Sequence, residues 1–125
     1  MTDLAKEYFT DDELKCKCGC EELIFDQNAR IKLNLIREDW GKPMIVSSGY
    51  RCPNHPLEVH KNATGEHSTG MCVDIRISGL EAFDLAALAR RHGVKRIGMN
   101  QKGNINGRFV HLGWNDNFPD SCWTY

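Results

Sequence analysis

The feature of this sequence that most constrains its fold is a long segment, residues 49–70, that favours neither helix nor strand. It reads "GYRCPNHPLEVHKNATGEHSTG" and is rich in glycine, proline, asparagine and histidine, which is typical of loops. It separates two short runs, "PMIVSS" and "CVDIRI", whose β-branched residues indicate strands. Loops of this length inside a compact domain are usually functional. We therefore expect a functional site in or beside this loop.

The rest of the chain predicts two helices and two further strands. The stretch "DQNARIKLNLIREDWGK" favours a helix capped by Asp26 and ended by Gly41. A second helix is expected in "SGLEAFDLAALARRHG", where Ser78 and Glu81 have capping-box spacing and Gly93 is a stop signal. "KRIGM" and "RFVHL" follow as strands. This order predicts an α+β fold: a single domain, residues 1–125, with a small, largely antiparallel sheet, two main helices and a long loop.

Composition excludes several functional classes. A chain of 125 residues with a formal net charge of −1 offers no electrostatic basis for binding nucleic acid. No apolar run reaches the roughly 18–20 residues needed to cross a bilayer, so we expect no membrane insertion. The N-terminal "MTDLAKEYFTDDELK" has no apolar core of the signal-peptide kind. We therefore expect a protein that is made in the cytoplasm. We also expect it to be a monomer.

The segment "HSTGMCVD" places His67 and Asp74 seven positions apart around a glycine. Histidine is the commonest metal ligand, and a carboxylate is a good second one. Zinc enzymes typically use three protein ligands and keep a fourth position open. His111, in "RFVHLGW", is the third candidate because it lies on another predicted strand. The local pattern does not show which face of that strand meets a metal.

Six cysteines require an explanation, and three of them, Cys16, Cys18 and Cys20, are crowded into "CKCGC". One reading is a disulfide framework, although that is unusual without a secretory signal. Another is a small zinc knot that uses the cluster and Cys52, although C-x-C-x-C does not match the usual spacing of two to four residues. The reading that we favour is reduced thiols, some of them buried as small apolar groups.

Several motifs in register resemble the zinc D-alanyl-D-alanine carboxypeptidase family, including its phage-encoded murein endopeptidases. They are "SSGYRCPNH", "GEHSTGMCVDI", "RFVHL" and the terminal "WTY", in that order. The family pattern is Ser-Gly-Tyr-Arg-Cys-Pro, then Ser-x-His-x-x-Gly-x-Ala-x-Asp, then Val-His-x-Asp and Trp-x-Tyr. The segment "FTDDELKCKCGC" also looks like the single-domain phage and prophage members. The resemblance implies the hedgehog-type zinc fold.

By this resemblance, His67, Asp74 and His111 would bind Zn²⁺, with water in the open position. Arg51 matches the family arginine, whose guanidinium could bind a peptide carboxylate or a developing oxyanion. The implied function is a zinc-dependent peptidase that hydrolyses an amide bond in the peptide stem of peptidoglycan, as a carboxypeptidase or an endopeptidase. A phage lysis enzyme or a virion component would reconcile cytoplasmic synthesis with a substrate outside the membrane.

The chain departs from the family pattern at three positions. Gly65 and Cys72 replace small residues and are mild changes. Gly113 stands where relatives have an acidic residue, so a general base must come from elsewhere. Asp116 is our first candidate, because Gly113 would let the chain bend back toward the metal. Glu66 is the second candidate, because it is next to the candidate ligand His67 in sequence. It ranks lower because adjacent residues of an extended segment point in opposite directions.

The missing acid also motivates an alternative function. The chain could be a catalytically weak or inactive module that keeps zinc and binds murein or builds part of a virion. Hedgehog-type domains illustrate how the same zinc fold can serve binding, as an analogy at the level of fold.

Overall fold

The computed structural model describes residues 6–125, which form one α+β domain around a five-stranded sheet. The helices are α1 (Asp11–Leu14), α2 (Gln27–Trp40) and α3 (Leu80–Arg91), with 3₁₀ helices at Glu66–Thr69 and Ile105–Gly107. The strands are β1 (Ile45–Ser48), β2 (Cys72–Arg76), β3 (Arg96–Asn100), β4 (Phe109–Gly113) and β5 (Ser121–Thr124). The predicted α+β class is confirmed. Among the described helices, none is long and apolar enough to cross a membrane.

The strands lie in the order β1-β2-β4-β3-β5. All neighbours are antiparallel except β3 and β5, which are parallel. In this register Asp74 lies opposite His111, and His111 lies opposite Gly98 on the other side. Gly98 in turn pairs with Trp123. One row across the sheet therefore carries the two candidate ligands and an aromatic side chain.

The two faces of the sheet have different roles. One face carries the sequence neighbours of Asp74 and His111, which are buried apolar side chains. They pack with α2 and α3 into the main core. Members of this core include Val73, Ile75, Val110 and Leu112 from the sheet, and Leu33, Ile36 and Leu85 from the helices. Because successive strand residues point to opposite faces, Asp74 and His111 lie on the face away from these helices.

Helix α2 begins and ends as its sequence predicts. The Asp26 carboxylate accepts a hydrogen bond from the Ala29 N–H at 2.9 Å, which caps the helix. Gly41 follows the last turn in the left-handed region, with φ 77°, and its N–H donates to the Arg37 carbonyl. Glycine adopts this conformation without the penalty that a Cβ imposes. Both predicted boundaries are confirmed.

Helix α3 ends as predicted, but its predicted capping box is wrong. Gly79 is the N-cap residue, at φ 73° and ψ −149°, and no side chain caps the helix. The helix thus starts one residue later than a box at Ser78 requires, and the Glu81 carboxylate forms an ion pair with Lys42 instead. The Gly79 N–H donates to Gln101 Oε1 at 3.0 Å. At the other end Gly93, at φ 83°, follows the last turn.

Besides the two 3₁₀ helices, one α-helix and one strand were not predicted. Helix α1 is a single turn held by a capping box between Thr10 and Glu13, and it is too short to show an apolar period. Strand β5 consists of Ser121–Thr124, which are mostly exposed and show no clean alternation. It forms only because the chain returns to the edge of β3, a long-range pairing that local sequence does not encode.

The contrast between the two helix starts is testable. Asp26→Ala should lower the free energy of unfolding by about 1 kcal/mol, because it removes a side-chain cap. Ser78→Ala should change it by less than about 0.5 kcal/mol, since Ser78 caps nothing. Urea unfolding of both variants measures the difference. Equal losses would contradict the helix boundaries described here.

Candidate metal centre and active site

Asp74, His67 and His111 converge in one buried cluster. The Asp74 carboxylate lies on β2, with Oδ1 3.0 Å from His111 Nδ1 on β4 and Oδ2 3.3 Å from His67 Nε2. The two imidazole rings meet edge to face, with centroids 5.1 Å apart. All three side chains are buried. The structure thus brings together the three residues that the sequence selected as metal ligands.

His67 reaches this cluster from the end of the long loop. It lies in the 3₁₀ helix Glu66–Thr69, which Gly70 terminates at φ 71°. A Cβ on Gly70 would lie 2.1 Å from the Ile24 carbonyl oxygen, so only glycine fits this turn. His67 Nδ1 lies 2.7 Å from the Gly49 carbonyl oxygen. This contact makes Nδ1 the protonated nitrogen and leaves Nε2 available as an electron-pair donor.

Asp74 is held as an anion in spite of its burial. Burial raises the pKa of Asp74, but hydrogen bonds and charge from His111 and His67 outweigh burial and hold that pKa well below its usual range. Burial likewise lowers the pKa of His111, yet Asp74 and Glu66 outweigh this effect and raise it. The raised pKa of His111 favours the protonated ring, whose positive charge compensates the neighbouring carboxylates. A bound divalent cation would supply the same compensation.

A second donor set shares both histidines. His67, Cys72 and His111 offer donor atoms that all lie within 4.8 Å of one another. Cys72 is fully buried, and burial raises the pKa of its thiol well above the ordinary value. The candidate third ligand is therefore either the ionised Asp74, which contacts both histidines, or the thiol of Cys72. Sequence reasoning treated Cys72 only as a filler of a small core position.

Glu66 occupies the space that a side chain at position 113 would need. A Cβ on Gly113 would lie 2.2 Å from Glu66 Oε2. Glu66 Oε1 lies 2.9 Å from His111 Nε2 and accepts from Arg96 Nε at 2.9 Å, and the Asn115 N–H donates to Oε2 at 3.3 Å. Burial raises the pKa of Glu66, but His111 and Arg96 outweigh burial and lower it. A carboxylate is thus present beside Gly113, although it comes from the loop.

The expectation that Glu66 and His67 point in opposite directions is wrong. They lie on a 3₁₀ helix rather than on an extended segment, so the period-two rule does not apply to them. Both side chains face His111. Asp116 is exposed, and it lines a depression with Lys32 and Lys95 rather than the pocket of the three candidate ligands. The structure therefore brings Glu66, and not Asp116, to the cluster.

Arg51 is a partly enclosed side chain rather than a surface ion pair, with 13% of the side chain exposed. Its Nη2 donates to Asp74 Oδ2 at 3.3 Å, its Nη1 to Glu58 Oε2 at 3.2 Å and its Nε to Ser48 Oγ at 3.0 Å. A guanidinium carries five N–H donors, so two remain after these three bonds. Sequence reasoning missed Glu58, because an acidic residue inside a polar loop is ordinarily solvated.

A groove runs past this cluster. One pocket, of about 220 Å³, is lined by the three candidate ligands with Arg51, Glu66 and Trp123. A second, of about 460 Å³, adjoins it and shares Arg51, Asp74 and Tyr125. The indole of Trp123 reaches the His111 ring, with centroids 5.1 Å apart. Gly98 makes this possible, since a Cβ there would lie 2.5 Å from Trp123 Nε1.

His55 and His60, the other loop histidines, stay outside the ligand cluster. His55 lines the second pocket, and its Nδ1 accepts from the Leu57 N–H at 3.0 Å. His60 is exposed.

The close approach of Gly113 and Glu66 makes a stability prediction. Gly113→Ala should destabilise the protein by about 1–3 kcal/mol, because the new methyl group overpacks the Glu66 carboxylate. In a Glu66→Ala background the same substitution should cost at least about 0.5 kcal/mol less, the coupling expected of residues in contact. Thermal unfolding of the wild type, the two single variants and the double variant measures this double-mutant cycle. Gly107→Ala is the matched control, because no atom lies within 4 Å of a Cβ there. Additive effects would contradict the contact.

The comparison with known families agrees with the geometry. A family model described as Peptidase M15 matches residues 7–113. No curated protein matches the chain. The matched range includes Arg51, Glu66 and the three candidate ligands, whereas Trp123 and Tyr125 lie beyond it. Since the match covers well over half of the sequence, the chain belongs to the peptidase M15 family, the zinc peptidases that are similar to D-alanyl-D-alanine carboxypeptidases.

Proposed function

We propose that this protein is a zinc-dependent peptidase that hydrolyses an amide bond in the peptide stem of peptidoglycan. The observation that carries the proposal is the convergence of His67 Nε2, the Asp74 carboxylate and His111 Nδ1 in a groove beside Arg51, in a chain of the M15 family. The proposal includes both modes of cleavage, at the end of the stem or within it. We further propose a phage or prophage origin, with release by lysis or delivery in a virion. This part rests on the resemblance of the sequence motifs alone.

The residues of the cluster fit a zinc ion. Two imidazoles and one carboxylate, buried and pointing at one another, are a ligand set that zinc enzymes use. We assign Asp74 rather than Cys72 as the third ligand, because Asp74 is already ionised and contacts both histidines. The Gly49 carbonyl would then orient the His67 ring through Nδ1, the nitrogen that faces away from the metal. When bound, zinc would polarise a carbonyl and lower the pKa of water to about 7.

Arg51 has the geometry to hold the substrate. Its bonds to Glu58 and Asp74 fix the plane of the guanidinium, and its two remaining N–H groups can donate to a carboxylate or to a carbonyl oxygen that gains charge. Lys61 lines the same two pockets and adds positive charge. A peptide with a free carboxylate or acidic side chains, as in murein stems, matches this lining.

Glu66 is our candidate for the proton acceptor. Among the residues that line the pocket of the ligands, Glu66 and Asp74 are the two carboxylates, and Asp74 is assigned to the metal. The contacts of Glu66 with His111 and Arg96 also suit a second role, the orientation of the His111 ring. The two roles differ in their consequences, since an orienting residue alters metal affinity and a base alters turnover.

One observation favours a binding module as the alternative. Glu66 is hydrogen-bonded to three groups, and Gly113 supplies no second acid. Incubation with purified murein, with and without a chelator, separates the two functions. New amino termini that disappear with the chelator support the peptidase. Tight retention on sacculi without any cleavage would overturn it in favour of the module.

His67→Ala should remove one zinc ion per chain, because it deletes a ligand. Asp74→Asn should do the same, whereas Cys72→Ala should keep full zinc content. Elemental analysis of the purified proteins measures all three. Loss of zinc in Cys72→Ala with retention in Asp74→Asn would transfer the third ligand to the thiol.

Arg51→Lys should lower turnover of a murein peptide by about 10²-fold, since lysine keeps the charge but loses the planar fork of donors. Zinc content and melting temperature should stay close to those of the wild type. Arg108→Lys is the matched control, because the Arg108 guanidinium donates to the Gly103 carbonyl and Arg108 lines neither pocket of the groove. A near-normal rate for Arg51→Lys would remove Arg51 from the reaction.

Glu66→Gln should lower turnover by about 10²–10⁴-fold with zinc retained, the range expected for a general base. Asp116→Asn should leave turnover unchanged, because Asp116 is exposed and outside the groove. Rates and zinc content are measured on the same preparations. A loss of zinc affinity in Glu66→Gln would make Glu66 an orienting residue, and a severe loss in Asp116→Asn would restore Asp116 as the base.

A further inference from the structure

Four cysteines form a second cluster, separate from the histidines. The Sγ atoms of Cys16, Cys18, Cys20 and Cys52 all lie within 4.8 Å of one another. Cys18 Sγ is 3.4 Å from both Cys16 Sγ and Cys52 Sγ. Three of these residues precede α2, and the fourth lies 32 positions after Cys20, in the long loop. The fold has therefore brought together two segments that are distant in sequence.

The local backbone explains how the tight C-x-C-x-C spacing can work. In an extended chain Cys16 and Cys20 would be about 13 Å apart, at about 3.3 Å per residue. The chain instead turns through residues 17–20, with Gly19 at φ 101°, and Glu21 follows at φ 63°. The turn folds all three side chains toward Cys52. The usual spacing of two to four residues describes two cysteines that bind zinc as a pair. Here a tight turn brings three cysteines together, so a separation of one residue does not argue against zinc.

The distances fit a shared metal better than disulfide bonds. None of the six cysteines forms a disulfide bond, and the 3.4 Å separations are far longer than the roughly 2.05 Å of an S–S bond. Four sulfurs bound tetrahedrally to zinc at about 2.3 Å would be about 3.8 Å apart. The observed separations, from 3.4 Å to at most 4.8 Å, bracket that value.

We propose that Cys16, Cys18, Cys20 and Cys52 bind a structural zinc ion, distinct from the metal of the histidine cluster. Four thiolates complete a tetrahedral shell and leave no open position, which is the pattern of structural sites. The N–H groups of Cys52 and Glu22 donate to Cys16 Sγ and Cys20 Sγ at 3.3 and 3.4 Å. Such bonds stabilise the negative charge that thiolate ligands carry.

This zinc would hold Arg51 in place. Cys52 is the next residue along the chain, and Tyr50 on the other side donates its N–H to the Leu14 carbonyl at 2.9 Å. Tyr50, Cys16 and Cys52 also form a small buried cluster of their own. The metal would thus join the segment after α1 to the start of the active-site loop, where few apolar side chains are available to do so.

The test uses the His67→Ala protein, purified under reducing conditions, so that a metal count reports the cysteine site separately. We expect one zinc ion per chain in His67→Ala and two in the wild type. Cys18→Ser should lose one zinc ion, whereas Cys122→Ser, the matched change at an exposed cysteine outside the cluster, should lose none. Iron in place of zinc, or a metal-free His67→Ala protein, would overturn the proposal.

Cobalt exchange makes the test independent of how well the cysteine variants fold. Cobalt(II) in the His67→Ala protein should show the intense near-ultraviolet absorption of thiolate-to-metal charge transfer and the visible bands of tetrahedral coordination. Absence of both from the folded protein would overturn the cysteine site. The histidine site is judged separately, because its failure would appear as a wild type with the same metal content as His67→Ala.

Discussion

The register between β2 and β4 is the constraint on which the candidate site depends. It places Asp74 opposite His111 on one face, while Val73, Ile75, Val110 and Leu112 lie on the other. A slip of one residue would move the polar pair into the core and the apolar residues to the groove. The apolar face therefore selects the arrangement of the candidate ligands, although these four apolar residues line neither pocket of the groove. Burial of that face against α2 and α3 stabilises the site indirectly.

Around this pair the protein concentrates buried charge and compensates each group. Asp74 contacts Arg51 and both histidines, Glu66 contacts Arg96 and His111, and Glu58 contacts Arg51 and Lys61. Removing one partner of such a set leaves an uncompensated charge, which is much more destabilising than the loss of a surface pair. Arg51, which the proposed reaction uses, belongs to this network. Stability and proposed chemistry thus use the same residues here.

The relation between Gly113 and Glu66 changes how the absent acid is interpreted. From the family pattern, Gly113 looks like the loss of a functional group. In the structure the carboxylate of Glu66 fills the volume where a side chain at 113 would begin. A carboxylate thus reaches this position from the loop, and it fits there because residue 113 is a glycine. The two residues are 47 positions apart, so neither local pattern hints at the other.

Sequence by itself determined the elements whose signals are local: the cap of α2 at Asp26, the stops at Gly41 and Gly93, the alternating strands β2 and β4, and the long loop between β1 and β2. The motifs also identified His67, Asp74, His111 and Arg51, which the structure brings together. Tertiary structure decided the remaining features. These are the start of α3, strand β5, the ion pair of Arg51 with Glu58, and the close approach of Glu66 to Gly113. The same holds for the meeting of Cys52 with the other three cysteines. Each of these depends on contacts between segments far apart in sequence, and the conformation of a short segment carries no information about which distant side chain will fill the space beside it.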